Sequence, residues 1–413
     1  MLSAAPAFDK PPTRTAPSEK RSRRVCMFVT NSVSIDTRVI KEAASLTSAG
    51  HAVTVLGLSE AGQAPRETLE GFAIRRLRPD TLRSRRPGAL RALLAPLAMA
   101  WALADYWRRA FRAATSEPFD VYHAHDLVTL PVAWAARARC GGAVVYDAHE
   151  LFTELSRLDP VSRAVFRVME ALLIGRADRV ITVNDSIAAE LARRYGVDTP
   201  RVLRNCPRTL GRRPDPAQSS LRARARVPVG TPIVLYQGLY MPHRGLENLV
   251  RAAARFQRAH LVFMGWGPLG ENLKAIAVGE GLTDRVTFID PVPMGDLLAV
   301  TAGADLGVIP YRNVGLNNFY TSPNKLFEYC AAGVPVAASR FPELVKVVEG
   351  LQVGRTFDPD DPASIASAVN AIVEDPAELA RLRDNAGRAA AGFTWETEVE
   401  ALYAVYDSLP VEA

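Results

Sequence analysis

The sequence predicts an α/β protein of two Rossmann-like domains, each a parallel sheet with helices on both faces. Three observations lead there. Short runs rich in Val, Ile, Leu and Phe alternate with helical patterns along the chain. One stretch rich in Pro, Arg and Ser, 208–231, interrupts that alternation, which then restarts. Clusters of polar residues follow the carboxyl ends of the strands, where sheets of this kind bind ligands. With 413 residues, 48% hydrophobic and 23% charged, the chain can bury two domains of ordinary size.

Taken in order, residues 1–23 are rich in Pro, Ser, Thr and charge, with no apolar run that could form a signal-peptide core, and are expected to be a disordered arm. The first domain, 24–207, has strand-like runs at 25–30, 52–58, 72–77, 121–124, 143–147 and 179–183. Residues 208–231 hold Pro214, Pro216 and Pro228 and form the expected linker. The second domain, 232–392, repeats the pattern at 233–237, 260–264, 286–289, 306–309 and 334–338. A final helical segment occupies 393–413.

The segment TSPNKLFEYCAAGVPVAAS, 321–339, carries the most chemistry. Ser322 is a good N-cap and Pro323 suits a first helical position, so a helix is expected to start there with its N–H groups facing outward. Lys325 falls in the first turn, where a cation opposes the helix dipole unless an anion lies between. Glu328 is three residues on, along the same face, placed to accept hydrogen bonds from a ribose diol beyond a bound diphosphate. An ordinary amphipathic helix with surface Lys and Glu is the plain alternative.

This segment resembles the donor-sugar motif of the retaining nucleotide-sugar glycosyltransferases of family four. The resemblance extends over most of the chain, through IDTRVIKEAASLTSAGHAVTVLG (35–57), HAHDLVTLP (123–131), VVYDAHELF (144–152), RVITVNDSIAAEL (179–191), LYQGLYMPHRGLENLV (235–250) and FTWETEVEALYAVY (393–406). It implies a GT-B fold, two Rossmann-like domains with parallel sheets facing across a cleft, and a terminal helix crossing back to the N-terminal domain. It also implies transfer with retention from a nucleoside-diphosphate sugar to a glycan or lipid-linked acceptor, as in surface polysaccharide assembly.

Residue by residue, the resemblance places Gly238, Arg244, Gly265, Gly267, Ser322, Asn324, Lys325 and Glu328 at the donor. Arg244, Lys325 and His125 become the catalytic candidates, the two cations stabilising the departing diphosphate and His125 lining the transfer site. Asp36, Arg38, His149 and Glu150 are the acceptor-side candidates. Two positions depart from the family pattern: Leu239 stands where an Arg holds phosphate, and Tyr320 where the first of two paired glutamates contacts the sugar.

No metal and no cofactor beyond the donor substrate is expected. Asp358 and Asp360 suggest a metal motif, but the neighbouring prolines favour loop and capping roles. GWGPLG at 265–270 fits the dinucleotide fingerprint after a strand, so a nicotinamide enzyme stands as an alternative. A nucleotide-sugar epimerase and a non-catalytic sugar-nucleotide-binding subunit are two others.

Cys26, Cys140, Cys206 and Cys330 are too widely spaced to suggest a zinc site or disulfide framework, which points to a reducing, cytoplasmic compartment. Net charge is +6, but the basic surplus is local: 19 Lys/Arg against 9 Asp/Glu up to Ala114. It gathers at Arg75, Arg76, Arg78, Arg83, Arg85, Arg86, Arg91, Arg108, Arg109 and Arg112, around an apolar segment too short to span a bilayer. That arrangement suits an anionic membrane surface on the cytoplasmic side. No zinc-finger, recognition-helix or aromatic-stacking signature supports nucleic acid as a partner.

Overall fold

The computed structural model describes residues 22–78, 95–209 and 211–410, with only the backbone for 95–100. Most of the expected arm therefore lies outside the described residues, as do Arg83, Arg85, Arg86 and Arg91. Contacts divide the chain into two units. One runs up to Leu203 and takes in Val399 onward; the other is Arg204–Glu398.

The N-terminal unit has strands β1 (Arg24–Phe28), β2 (Ala52–Leu58), β3 (Arg66–Leu69), β4 (Phe72–Leu77), β5 (Val121–His125), β6 (Ala143–Ala148), β7 (Arg179–Thr182) and β8 (Arg201–Val202). Their order is β3-β4-β2-β1-β5-β6-β7-β8, and every pair is parallel except β3 with β4. β1, β5 and β6 are almost wholly buried, which is why their sequences read as continuous apolar runs. The order reverses between β1 and β5, so the loops leaving those two strands diverge and open a crevice at their carboxyl ends.

The C-terminal unit has β9 (Ile233–Gln237), β10 (His260–Met264), β11 (Val286–Ile289), β12 (Leu306–Ile309), β13 (Val336–Ser339) and β14 (Gly354–Phe357). All are parallel, in the order β11-β10-β9-β12-β13-β14, and the switch point lies between β9 and β12. Two apolar clusters, one on each face, make its core; Leu235, Val262 and Val336 belong to one, Val234, Leu261 and Ala337 to the other. That alternation follows from the period of two along each strand.

Four expectations are corrected. β3, β8 and β14 were not expected. β1 ends at Phe28, before the expected 30, and β13 begins at Val336, two residues after the expected 334. The helix of the 321–339 segment is Asn324–Ala332, with Pro323 in extended conformation as its N-cap, so Ser322 stands one residue outside. The Lys325 first-turn position survives the shift. Cys206 is buried and Cys140 exposed, and all four cysteines are free thiols.

Candidate active site

In the C-terminal unit the donor candidates meet at the carboxyl ends of β9 and β12. Lys325 is 5% exposed, and its Nζ has no hydrogen-bond partner among the described residues. It sits 3.7 Å from the centre of the Tyr236 ring and 5.4 Å from that of Tyr311. Burial pushes its pKa well below the usual Lys value, and the Arg244 charge adds to the effect. Arg244 lies over the other side of the same problem: its guanidinium is 5.0 Å from the Tyr311 ring centre and donates a 2.6 Å hydrogen bond to the Tyr311 hydroxyl. Two cations thus share one aromatic neighbour with no carboxylate bonded to either guanidinium or amine, an arrangement that favours an incoming anion.

The loops are built around this pair. Gly238 has φ +112°, and a Cβ there would come within 3.4 Å of Lys325 Nζ. A Cβ on Gly245 would meet the Pro310 carbonyl oxygen at 1.8 Å, so glycine lets the Arg244 loop dock on the chain leaving β12. Glu328 accepts a 2.6 Å hydrogen bond from Gln237 Nε2, while Gln237 Oε1 accepts one of 2.7 Å from the Thr301 hydroxyl. Gln237 is buried, so this chain fixes the Glu328 carboxylate from behind.

Gly265 and Gly267 have a packing role. Cβ atoms there would lie 2.0 Å from the Gly238 oxygen and 2.5 Å from the Tyr240 oxygen. Tyr240 N donates to the Trp266 oxygen and Leu269 N to the Tyr240 oxygen, interlocking the turns after β9 and β10. The GxGxxG pattern is thus accounted for by two loops in contact. Asn324 is exposed at the helix start, and Ser322 is half-buried beside it.

In the N-terminal unit a buried charge network lies at the ends of β5 and β6. Arg38 makes a two-pronged contact with Asp147, Nε to Oδ2 at 2.8 Å and Nη2 to Oδ1 at 2.7 Å, and donates to the Leu203 oxygen at 2.7 Å. It also lies 3.0 Å from Glu42. Burial would raise the Asp147 pKa, but Arg38 and then His149 hold it well below the usual carboxylate range. Burial, reinforced by Asp147, pushes the Glu42 pKa well above that range.

His149 Nε2 lies 3.0 Å from Asp147 Oδ2 and 3.1 Å from His125 Nδ1. Burial opposes its charge, but Asp126 and Asp147 outweigh burial and push its pKa up to about 10. Held as an imidazolium, His149 must carry a proton on Nε2 and share it with Asp147 and His125. Burial lowers the His125 pKa, and its Nδ1 lies 3.1 Å from His149 Nε2 and 3.3 Å from Asp147 Oδ2. The His125 Nε2 is buried without a partner among the described residues.

Of the acceptor-side candidates, His149 and Glu150 are half-buried at the end of β6. Asp36 caps the helix Thr37–Ser48 through Val39 N and accepts from Asn31 Nδ2. Arg38 is 3% exposed and fully engaged, so it positions Asp147 and is not open to a ligand. Glu42, His123, His125 and Asp147 offer ligand atoms within 4.8 Å of one another, but the Arg38 guanidinium already occupies the cationic place between the two carboxyls. Asp361 caps the helix Pro362–Val373, Asp360 pairs with Arg312, and Asp358 accepts from Asp360 N. Of the basic surplus, Arg76 is buried against Glu67, and Arg108 and Arg109 pair with Asp105.

Sequence reasoning missed Tyr236, Tyr311, Gln237 and Thr301. Gln237 carried the one available signal, a polar residue closing an apolar strand.

Two families match in tandem: a "Glycosyl transferase 4-like domain" over 35–208 and "Glycosyl transferases group 1" over 231–375. A D-inositol 3-phosphate glycosyltransferase of Acidothermus cellulolyticus is 30% identical over 317 residues, 71% of this chain and 68% of the relative. The corresponding protein of Salinispora tropica is 28% identical over 333 residues, 74% and 67% of the two chains. Among solved structures, a sucrose-phosphate synthase from Thermosynechococcus elongatus superposes with TM-score 0.75 at 22% identity, covering 93% of this chain and 98% of that one. Anabaena HepE in complex with UDP-glucose gives 0.72 at 17%, covering 94% and 100%. The chain belongs to the GT-B glycosyltransferases, with a glycosyl transferase 4-like domain followed by a group 1 domain, and it is a glycosyltransferase.

Proposed function

We propose that this glycosyltransferase moves a sugar, with retention at the anomeric carbon, from a nucleoside-diphosphate sugar to a hydroxyl of a glycan or lipid-linked acceptor, in surface polysaccharide assembly on the cytoplasmic side of a membrane. The observation that carries the donor half is Lys325: a buried amine without a hydrogen-bond partner among the described residues, beside Arg244. Such an amine is costly alone and favourable once an anion arrives.

In this reading Arg244, Lys325 and the first N–H groups of the helix Asn324–Ala332 hold the diphosphate and stabilise the charge that builds as it leaves. These cations do without a metal what a divalent ion would otherwise do. Gly238 keeps the approach to Lys325 open, and Ser322 and Asn324 border the phosphates. Glu328 binds the ribose diol. His125 turns its Nε2 to the donor sugar, and His149, Glu150 and Asp36 receive the acceptor, with Arg38 and Asp147 positioning the two histidines.

Thermal shift against UDP, GDP, TDP, ADP and their sugars, with EDTA and then magnesium, tests the donor half. Stabilisation by one diphosphate series, unchanged by EDTA and lost in Arg244→Ala and Glu328→Ala, is expected. Turnover indifferent to both substitutions would sink the donor site, and a shift with NAD alone would favour the dehydrogenase. An epimerase would convert the donor without an acceptor, and a binding subunit would shift without turnover.

The names of the relatives favour a second acceptor, an inositol phosphate. Against it, the guanidinium among the acceptor-side residues, Arg38, is already bonded to Asp147. Mass spectrometry of products formed with inositol phosphate and with lipid-linked glycans decides between them. Among the described residues no helix is long and apolar enough to cross a membrane. Association with an anionic membrane is part of the proposal.

A further inference from the structure

The helix Pro160–Leu173 of the N-terminal unit buries one face and leaves an apolar one in solvent. Phe166 and Glu170 point inward; Glu170 accepts hydrogen bonds from Tyr146 at 2.8 Å and Tyr195 at 2.6 Å. On the outer face Val161, Val165, Val168 and Leu172 are 73%, 60%, 59% and 55% exposed. Ala164 and Ala171 are exposed between them. Positions 161, 164, 165, 168, 171 and 172 follow the helical period, so the exposed residues form one continuous apolar stripe about three turns long. A monomeric soluble surface rarely keeps such a stripe uncovered.

The rim of the stripe is cationic. Arg157, Arg167 and Arg176 are exposed before, along and just after the helix. Arg163 and Arg167, with Leu158, Pro160 and Ala164, line a hollow of about 620 Å³ at its N-terminal end. The helix has one carboxylate, Glu170, which is buried, and the exposed Asp159 is engaged in capping Val161 and Ser162. A second copy laid on this face would bring the exposed Arg157 and Arg176 against like charges, with the helix's own carboxylate buried. A surface of anionic headgroups over acyl chains answers both the rim and the stripe.

The face is also tied to the acceptor side. Arg167 donates to Glu154 at 2.7 Å, and the Phe166 and Phe152 rings meet at 5.0 Å, so the helix is braced on the turn Phe152–Glu154. That turn follows directly on His149 and Glu150.

We infer that the outer face of the helix Pro160–Leu173 is the surface by which this protein lies on an anionic lipid bilayer, which brings a lipid-linked acceptor to His149 and Glu150. This rests on the lipid-linked acceptor reading above. It places attachment on a different element from the Arg-rich segment 83–112.

The test is flotation of the full chain with vesicles of phosphatidylcholine alone and mixed with phosphatidylglycerol. The wild type is expected to float with the mixed vesicles only. Val165→Glu/Val168→Glu should weaken binding by about tenfold or more, and Val165→Trp/Val168→Trp should strengthen it. These positions are exposed, so unchanged melting temperature and an unchanged nucleoside-diphosphate shift are expected in both variants. Equal flotation of wild type and the Glu variant would overturn the inference, as would failure of both wild type and Trp variant to float. A dimer by light scattering that the Glu variant splits, without flotation, would hand the face to a second copy. Failure of the glycosyl-transfer reading would show separately, as no nucleotide shift in any of the proteins.

Discussion

Lys325 Nζ rests 3.7 Å from the centre of the Tyr236 ring and makes no hydrogen bond to any described residue. An aromatic face is a weak substitute for water around an ammonium group. Lys325→Met keeps the volume and removes the unsatisfied group, so it should stabilise the free protein by about 1–3 kcal/mol. The same substitution should abolish the nucleoside-diphosphate shift. Urea unfolding with and without nucleotide checks both.

Binding of the diphosphate should take up a proton. Burial holds the Lys325 pKa well below its usual value, and a bound anion reverses that bias. Affinity should therefore fall as pH rises above the lowered pKa. Titration calorimetry in buffers of different ionisation enthalpy would show a matching spread in apparent binding enthalpy, absent in Lys325→Met.

The His149 pKa, pushed up to about 10, has a stability consequence of definite sign. The folded state holds a proton that the unfolded state releases near its ordinary pKa of about 6.5. The stabilisation is complete below that value and is lost as pH rises toward 10. The unfolding free energy of wild type relative to His149→Gln should decline across that window. A difference that stayed flat with pH would contradict the imidazolium assignment.

Gln237 holds Glu328 at 2.6 Å, so Gln237→Leu should release that carboxylate and leave the Thr301 hydroxyl without this acceptor. Loss of one charge-assisted hydrogen bond corresponds to about tenfold in donor KM, with a smaller change in kcat. Discrimination between ribose and 2′-deoxyribose donors should shrink with it. Steady-state kinetics with the paired nucleotides measures both.

Gly265→Ala should destabilise by about 2–4 kcal/mol, because its Cβ would fall 2.0 Å from the Gly238 oxygen and the turns cannot separate without losing the Tyr240 bonds. Thermal melting checks this. NAD should fail to shift the melting point of the wild type.

Much of the fold was legible because its central strands are buried on both faces and read as apolar runs. The three unexpected strands lack that signature. β3 is RETL, mostly exposed and antiparallel at an edge; β8 is two residues long; β14 is the edge strand GRTF. The helix start was misplaced by one residue because Pro323 suits both the cap and the first position. Lys325 and Glu328 were legible because they share a turn with a phosphate-binding logic. Their supports were not: Gln237 closes β9 and Tyr311 lies in the loop after β12, and only folding brings them together. Arg38 was visible as a residue but not as the partner of Asp147, 109 positions away.

The helix Trp395–Asp407 places Tyr406 2.9 Å from the buried His123 of β5, across a sequence separation of 283 residues. A ribosome covering that distance at about 5–20 residues per second needs roughly 15–60 s. During that interval a nascent N-terminal sheet carries an imidazole without its phenol, and the backbone of Leu409 has yet to receive Arg23. The domain that leaves the ribosome first is thus completed last, and a chain halted after residue 398 would hold every strand of both sheets while still lacking the segment that closes the first.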